Sequence, residues 1–183
     1  MLCQIVKVAP WCVASIAFVV LLGACSPITV NDYKDKTPKL NVETFFEGRL
    51  SAHGVVKNRS GKVIRHFNAK IHARWDNGIG TLDEYFVFDD GEQQQRIWTL
   101  TPDGAQRYIA TAGDVVGPST MRIAGNSLFL NYVLQVPYNG KIIDVAVDDR
   151  MYLVDAVTLL NESVMTKWGF KVGEVLLVIK KLP

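Results

Sequence analysis

The sequence predicts an all-β protein, an antiparallel up-and-down meander that closes into a barrel, with a β-sandwich as the alternative. Three observations predict it. Apolar and polar residues alternate over long stretches, glycine-containing turn dipeptides recur between those stretches, and no cysteine occurs after Cys25. Alternation with period two is the mark of a strand buried on one face. A domain without disulfides must hold itself together by core burial and hydrogen bonding, and closing the sheet removes its exposed edges.

The chain has 183 residues and a formal net charge of +2, which suits one compact domain with accessory segments. Lys and Arg are mixed with Asp and Glu along its length, with no basic stripe to displace counterions from phosphates, so nucleic acid is not an expected partner.

Residues 1–24 read as a signal peptide. Lys7 supplies the only early charge, and VAPWCVASIAFVVLLGA follows without another. A membrane-spanning helix wants about 20 apolar residues; this run is a little short and carries Pro10 near its start. An aliphatic residue, two small residues and a cysteine end it: Leu22-Gly23-Ala24-Cys25. This resembles the lipobox of bacterial lipoproteins. The resemblance implies cleavage before Cys25 and acylation of its thiol, and so a membrane as partner through the acylated Cys25. A single acyl chain binds reversibly, at about 0.8 kcal/mol per buried methylene, whereas the three chains the resemblance implies form a lasting anchor. Ser26 stands where an Asp would signal retention at the inner membrane, so the implied address is the outer membrane, facing the periplasm.

Residues 25–40 read as the lipidated cysteine and a polar tether, with Pro27, Pro38 and mixed Lys and Asp. About 15 residues at up to ~3.5 Å each would let the domain stand roughly 50 Å from the bilayer. The barrel domain is expected over residues 41–183.

Within that domain, KVIRHFNAKIHARWD places Val63, Phe67, Ala69, Ile71, Ala73 and Trp75 on one face, with His66, Asn68, Lys70, His72 and Arg74 on the other. SLFLNYVLQVP and KIIDVAVDD alternate in the same way. Ser60-Gly61, Asn77-Gly78, Asp90-Gly91, Asp103-Gly104 and Asn139-Gly140 punctuate these runs as hairpin turns. Helix is scarce. VTLLNESVMTKWG is the best candidate, and it reads equally well as two strands around Asn161-Glu162-Ser163.

Candidate chemistry is sparse. His66 and His72 share a strand face, but six residues at ~3.3 Å set them about 20 Å apart, too far to share a metal ion. No metal site and no cofactor is expected. No nucleophile elbow, phosphate-binding glycine loop or metalloprotease motif occurs, so no catalytic residue is assigned and an enzyme has no support. The hairpin around Asp90-Gly91 is more informative. A two-residue loop there would place Asp83, Tyr85, Arg96 and Trp98 on one face, with Arg96 diagonal to Asp83 and able to pair with it. A three-residue loop with a bulge would instead bring Glu84 onto the face of Arg96. The first register is the expectation, and those four residues are the candidate ligand contacts.

NRSGKVIRHF, LDEYFVFDDGEQQQRIW, TAGDVVG, VDDRMYL and LNESVMTKWGFKVGEV follow one another in this order. Together they resemble the DUF3833 family of uncharacterised bacterial lipoproteins over nearly the whole mature chain, with departures at Asn58 and Arg150. The resemblance implies an address and, through the association of members with genes for fatty-acid or phospholipid modification, a lean towards lipids. A looser resemblance is to lipocalins, with Phe46-Glu47-Gly48-Arg49-Leu50 where those carry Gly-x-Trp. The expectation is therefore a lipocalin-like barrel, membrane-anchored and facing the periplasm, that binds a lipid or other small amphiphile. The alternative is a structural or assembly protein of the cell envelope acting through protein–protein contacts. A cavity inside the barrel favours the first, and a filled barrel with an exposed apolar patch favours the second.

Overall fold

A computed structural model of the chain describes residues 26–183. The expected signal peptide and Cys25 lie outside the described residues. Ten strands follow one another: β1 (Gly48–Asn58), β2 (Val63–Asp76), β3 (Ile79–Phe88), β4 (Gln93–Pro102), β5 (Arg107–Thr111), β6 (Ser119–Ala124), β7 (Ser127–Tyr138), β8 (Lys141–Leu153), β9 (Thr158–Lys167) and β10 (Phe170–Lys181). Each pairs antiparallel with its neighbours in sequence, and β1 pairs with β10 from Leu50↔Lys181 to Asn58↔Gly173. The result is a closed up-and-down barrel, as alternation and glycine turns predict.

Turn chemistry sets most of the registers. Asn77-Gly78 and Asn139-Gly140 both have two successive positive φ values, 49° and 79° in the first and 49° and 72° in the second. That is the two-residue type I′ geometry whose twist matches the strands it joins. The helix candidate at 157–169 is strand instead. β9 crosses Asn161-Glu162-Ser163 without a break, paired on one side with β8 and on the other with β10. Ladder pairing along both edges outweighs its weak helical pattern.

One end of the barrel is stoppered. The single-turn helix α1 (Val42–Phe45) begins at Asn41, whose side chain accepts a hydrogen bond from the Thr44 amide at 2.8 Å. Lys181 closes its far end by donating to the carbonyls of Thr44, Phe45 and Glu47. Val42, Phe45 and Phe46 are buried against the barrel core, and Trp75 fixes them through Nε1 to the Phe46 carbonyl at 2.7 Å.

Residues 30–40, expected as part of the tether, lie against the barrel wall. Val30 and Leu40 are buried, and Tyr33 sits between Phe129 and Tyr152, with ring centroids 5.7 and 5.3 Å away. Gly125 permits the approach. Its φ is +59°, and a Cβ there would come within 1.7 Å of the Tyr33 carbonyl oxygen.

Packing loosens away from the stoppered end. On β1, Leu50 and Ala52 are buried but Val56 is only partly so; on β10, Ile179 is buried while Leu177 and Val175 are half-buried. The short strands β5 and β6 leave residues 112–118 as a loop, which folds back on β7 through a Val115↔Leu134 bridge and a 2.8 Å bond from the Gln135 amide to the Asp114 carbonyl.

Candidate functional site

The inward faces of the strands enclose a cavity of about 180 Å³. An apolar cavity of about 150 Å³ holds one benzene molecule, so this one has room for a single ring or a short alkyl chain. Phe67, Phe86, Leu134, Met165 and Leu177 are among its apolar walls, and Glu84, Arg96, Trp98, Tyr132, Asp149 and Asn161 among its polar ones.

Strand pairing explains how those polar groups meet. Glu84 of β3 lies directly opposite Arg96 of β4, and Leu82 lies opposite Trp98. The Asp90-Gly91 turn is a three-residue loop: the Phe88 amide bonds to the Glu92 carbonyl at 2.9 Å, the Gly91 amide bonds back to the Phe88 carbonyl at 3.0 Å, and Gly91 alone takes positive φ, +84°. Asp90 stays at negative φ, so the turn is type I with a bulge rather than type I′.

The expectation of one shared face for the four candidate residues is therefore corrected. Arg96 and Trp98 line the cavity, whereas Asp83 and Tyr85 point outward. Outside, Asp83 accepts from the Tyr85 hydroxyl at 2.8 Å and from Gln95 Nε2 at 2.7 Å. Arg96 does not pair with Asp83. It binds Asp114 through Nε at 3.0 and 2.9 Å and through Nη2 at 2.7 Å.

Asp149, opposite Ser163 on the β8–β9 ladder, is the most fully satisfied acid of the group. It accepts hydrogen bonds from Asn161 Nδ2 and, at 2.8 Å, from Ser163 Oγ. Burial pushes its carboxyl up to about 6 in spite of those bonds, because a charge enclosed by low-dielectric walls is poorly solvated. Burial acts harder on Glu84, raising it to about 7; Arg96 opposes the rise, and Asp149, Asp114 and Asp83 add to it. Glu84 is half-buried and borders the cavity.

Some of the lining is unpaired. Among the described residues the buried side-chain polar atom without a partner is Arg65 Nε, while the Glu84 carboxyl, the Tyr132 hydroxyl and the Trp98 indole nitrogen make no hydrogen bond and border the cavity. Trp98 and Tyr132 pack edge to face with centroids 5.3 Å apart. Among the described residues no group of three or more His, Cys, Asp or Glu is placed to hold a metal ion.

Asp114, Tyr132, Asp149, Asn161 and Ser163 were not singled out by sequence reasoning, and Glu84 entered it only through the alternative three-residue loop, the register the hairpin adopts. Most had a signal. Asn161 and Ser163 interrupt the inward series Leu159–Met165 of β9, and Asp149 interrupts Val145, Val147 and Met151 of β8. A polar residue at an inward position of an apolar series needs a partner inside the barrel. Asp114 had no such signal, because it reaches the site from a loop.

The family described as a protein of unknown function, DUF3833, matches residues 19–181. No curated protein matches the sequence. Solved structures share the fold, the following two among them. The S-type phycobiliprotein lyase CPES from Guillardia theta superposes with a TM-score of 0.59 at 12% identity, covering 86% of this chain and 99% of its own. A protein of unknown function from the DUF3598 family of Nostoc punctiforme PCC 73102 gives 0.58 at 13% identity, over 80% of this chain and 51% of its own. At such identities the likeness is one of fold.

Proposed function

We propose that this chain, which belongs to the DUF3833 family, is a lipid-anchored envelope protein that holds a small amphiphile inside its barrel. The observation that carries this reading is the cavity itself: about 180 Å³, walled mostly by apolar side chains, with one cluster of polar groups among them. A side-chain-filled barrel would have no such space, and a stopper at one end directs entry to the other. A pocket that combines apolar walls with a few convergent polar groups is the common form of a small-ligand site. The anchor rests on Leu22-Gly23-Ala24-Cys25 and the apolar run before it. The outer membrane, facing the periplasm, is the proposed location, on the strength of Ser26 after the cysteine.

A second reading has its own support. Tyr138, Ile142, Trp168 and Phe170 are 61%, 68%, 87% and 65% exposed, and they sit at the tips of the neighbouring β7–β8 and β9–β10 hairpins. An apolar rim of that kind suits contact with another envelope protein.

Native mass spectrometry of protein released gently from membranes separates the two. A small molecule retained at unit stoichiometry, and lost on denaturation, supports the carrier. A ligand-free barrel that co-purifies with one protein partner, and loses it in Trp168→Ser/Phe170→Ser, supports the assembly role instead.

A further inference from the structure

The charges inside the barrel are unbalanced in a way that selects among amphiphiles. Arg96 is the only Lys or Arg that lines the cavity among the described residues, and its charge is already paired with Asp114 through Nε and Nη2. Arg65, nearer the rim, is likewise held by Asp90 at 2.7 Å and Glu92 at 2.9 Å, flat over the Phe88 ring. Each of these cations already has a carboxylate partner, with which an anionic head group would have to compete. The acids are differently placed. Asp149 faces the cavity with two donors, and Glu84 faces it with none. Tyr132, 9% exposed as a residue, adds a hydroxyl oxygen without a protein partner to the same wall.

We propose that the cavity receives the protonated amine of a small amphiphile, with the Glu84 carboxylate as its ion-pair partner, the Tyr132 hydroxyl as a second acceptor and the apolar walls around its short chain or ring. This rests on the small-ligand reading above and gives that ligand a chemical class. An ammonium group brings three donors to a wall that offers unpaired acceptors. A carboxylate or phosphate would meet two acids and a cation already paired, and like charges in a poorly solvated site repel strongly. A bound ammonium also changes the state of Glu84. Its carboxyl, raised to about 7 in the empty barrel, gives up its proton as the ion pair forms. Binding near neutral pH therefore releases a proton to solvent.

Three probes of matched chain length test this: n-hexylamine, n-hexanol and hexanoate, titrated calorimetrically into the purified barrel at pH 7. Hexylamine should bind at least tenfold tighter than hexanol, and hexanoate at least tenfold weaker than hexanol. Repeating the hexylamine titration in buffers of different ionisation enthalpy should show net proton release. Glu84→Gln should bring hexylamine to within about threefold of hexanol and abolish the release, with an unchanged β-type circular dichroism spectrum as the control for an intact barrel. Hexanol or hexanoate binding as tightly as the amine overturns the amine assignment and leaves the small-ligand reading standing. An amine preference that survives Glu84→Gln overturns the role given to Glu84. Failure of all three probes to bind overturns both the assignment and the reading beneath it.

Discussion

Arg96 clasps Asp114 by three hydrogen bonds, and through that clasp a barrel strand holds the longest strand-to-strand loop of the described residues, 112–118. The Arg96 side chain is 20% exposed and that of Asp114 is 38%. Removing the arginine would leave Asp114 able to recover some water while Glu84 and Asp149 lose the one cation near them. Arg96→Ala should therefore cost about 3 kcal/mol, towards the lower end for breaking a buried pair, as read from urea unfolding. Arg96→Lys should recover only part of it, since an ammonium cannot grip both carboxylate oxygens in the same plane. A cost below about 1 kcal/mol would show the clasp to be a surface contact.

Acid stability should run opposite to the usual course near neutrality. Glu84 and Asp149 have folded values of about 7 and about 6, above their ordinary 4.5 and 3.8. A carboxyl raised on folding contributes in full below its unfolded value, and the contribution is lost as pH climbs through the folded one. Between pH 5 and 7.5 the unliganded protein should lose stability, on the order of a few kcal/mol in all. Asp90, Asp155 and Glu174 are lowered instead, so their losses fall at more acid pH and outside this window. Urea midpoints across the range should slope downward, and Glu84→Gln should flatten most of the slope.

Filling the cavity should separate ligand uptake from folding. Val175 lines the cavity and is half-buried, so a larger ring there has free space to enter. Val175→Phe should keep its melting temperature within a few degrees of the parent and lose most binding of small alkyl probes. Unchanged binding would move the ligand elsewhere on the barrel.

Gly125→Ala should release the amino-terminal segment. A Cβ would collide with the Tyr33 carbonyl oxygen at 1.7 Å, in a left-handed backbone conformation that already disfavours alanine. The expected cost is about 2 kcal/mol or more, with new proteolytic cleavage confined to residues 30–40 and an unchanged β-type circular dichroism spectrum.

Cys25→Ala should block both processing and acylation. The variant is expected to run at the size of the unprocessed chain and to incorporate no labelled fatty acid, and the wild type is expected to partition with membranes. A soluble, unmodified mature wild-type protein would refute the anchor.

The barrel was legible because its rules are local: alternation names the strands, and Asn-Gly names two of the turns. The register of the β3–β4 hairpin was missed by one residue because Asp, unlike Asn, did not take positive φ at position 90. The sequence nevertheless held the correction. Leu82, Phe86 and Phe88 face inward on β3, and Trp98 and Leu100 face inward on β4. Only the three-residue loop keeps both apolar series on one face, whereas the two-residue loop turns one of them to water. Face matching should have outranked the dipeptide. The Arg96–Asp114 clasp was of another kind, since it depends on how a loop folds back across β7, and no period in the sequence encodes that.

The packing of residues 30–40 on the barrel wall shortens the mooring. Only Ser26 to Thr29 remain between Cys25 and the buried Val30, and four residues reach about 14 Å at full stretch. With Cys25 acylated as proposed, the barrel cannot range some 50 Å into the surrounding space. It stays within grazing distance of the lipid, like a boat on a short painter. A protein so held would not ferry cargo between membranes; it would sample what is already at the surface, and whatever received its ligand would have to come alongside.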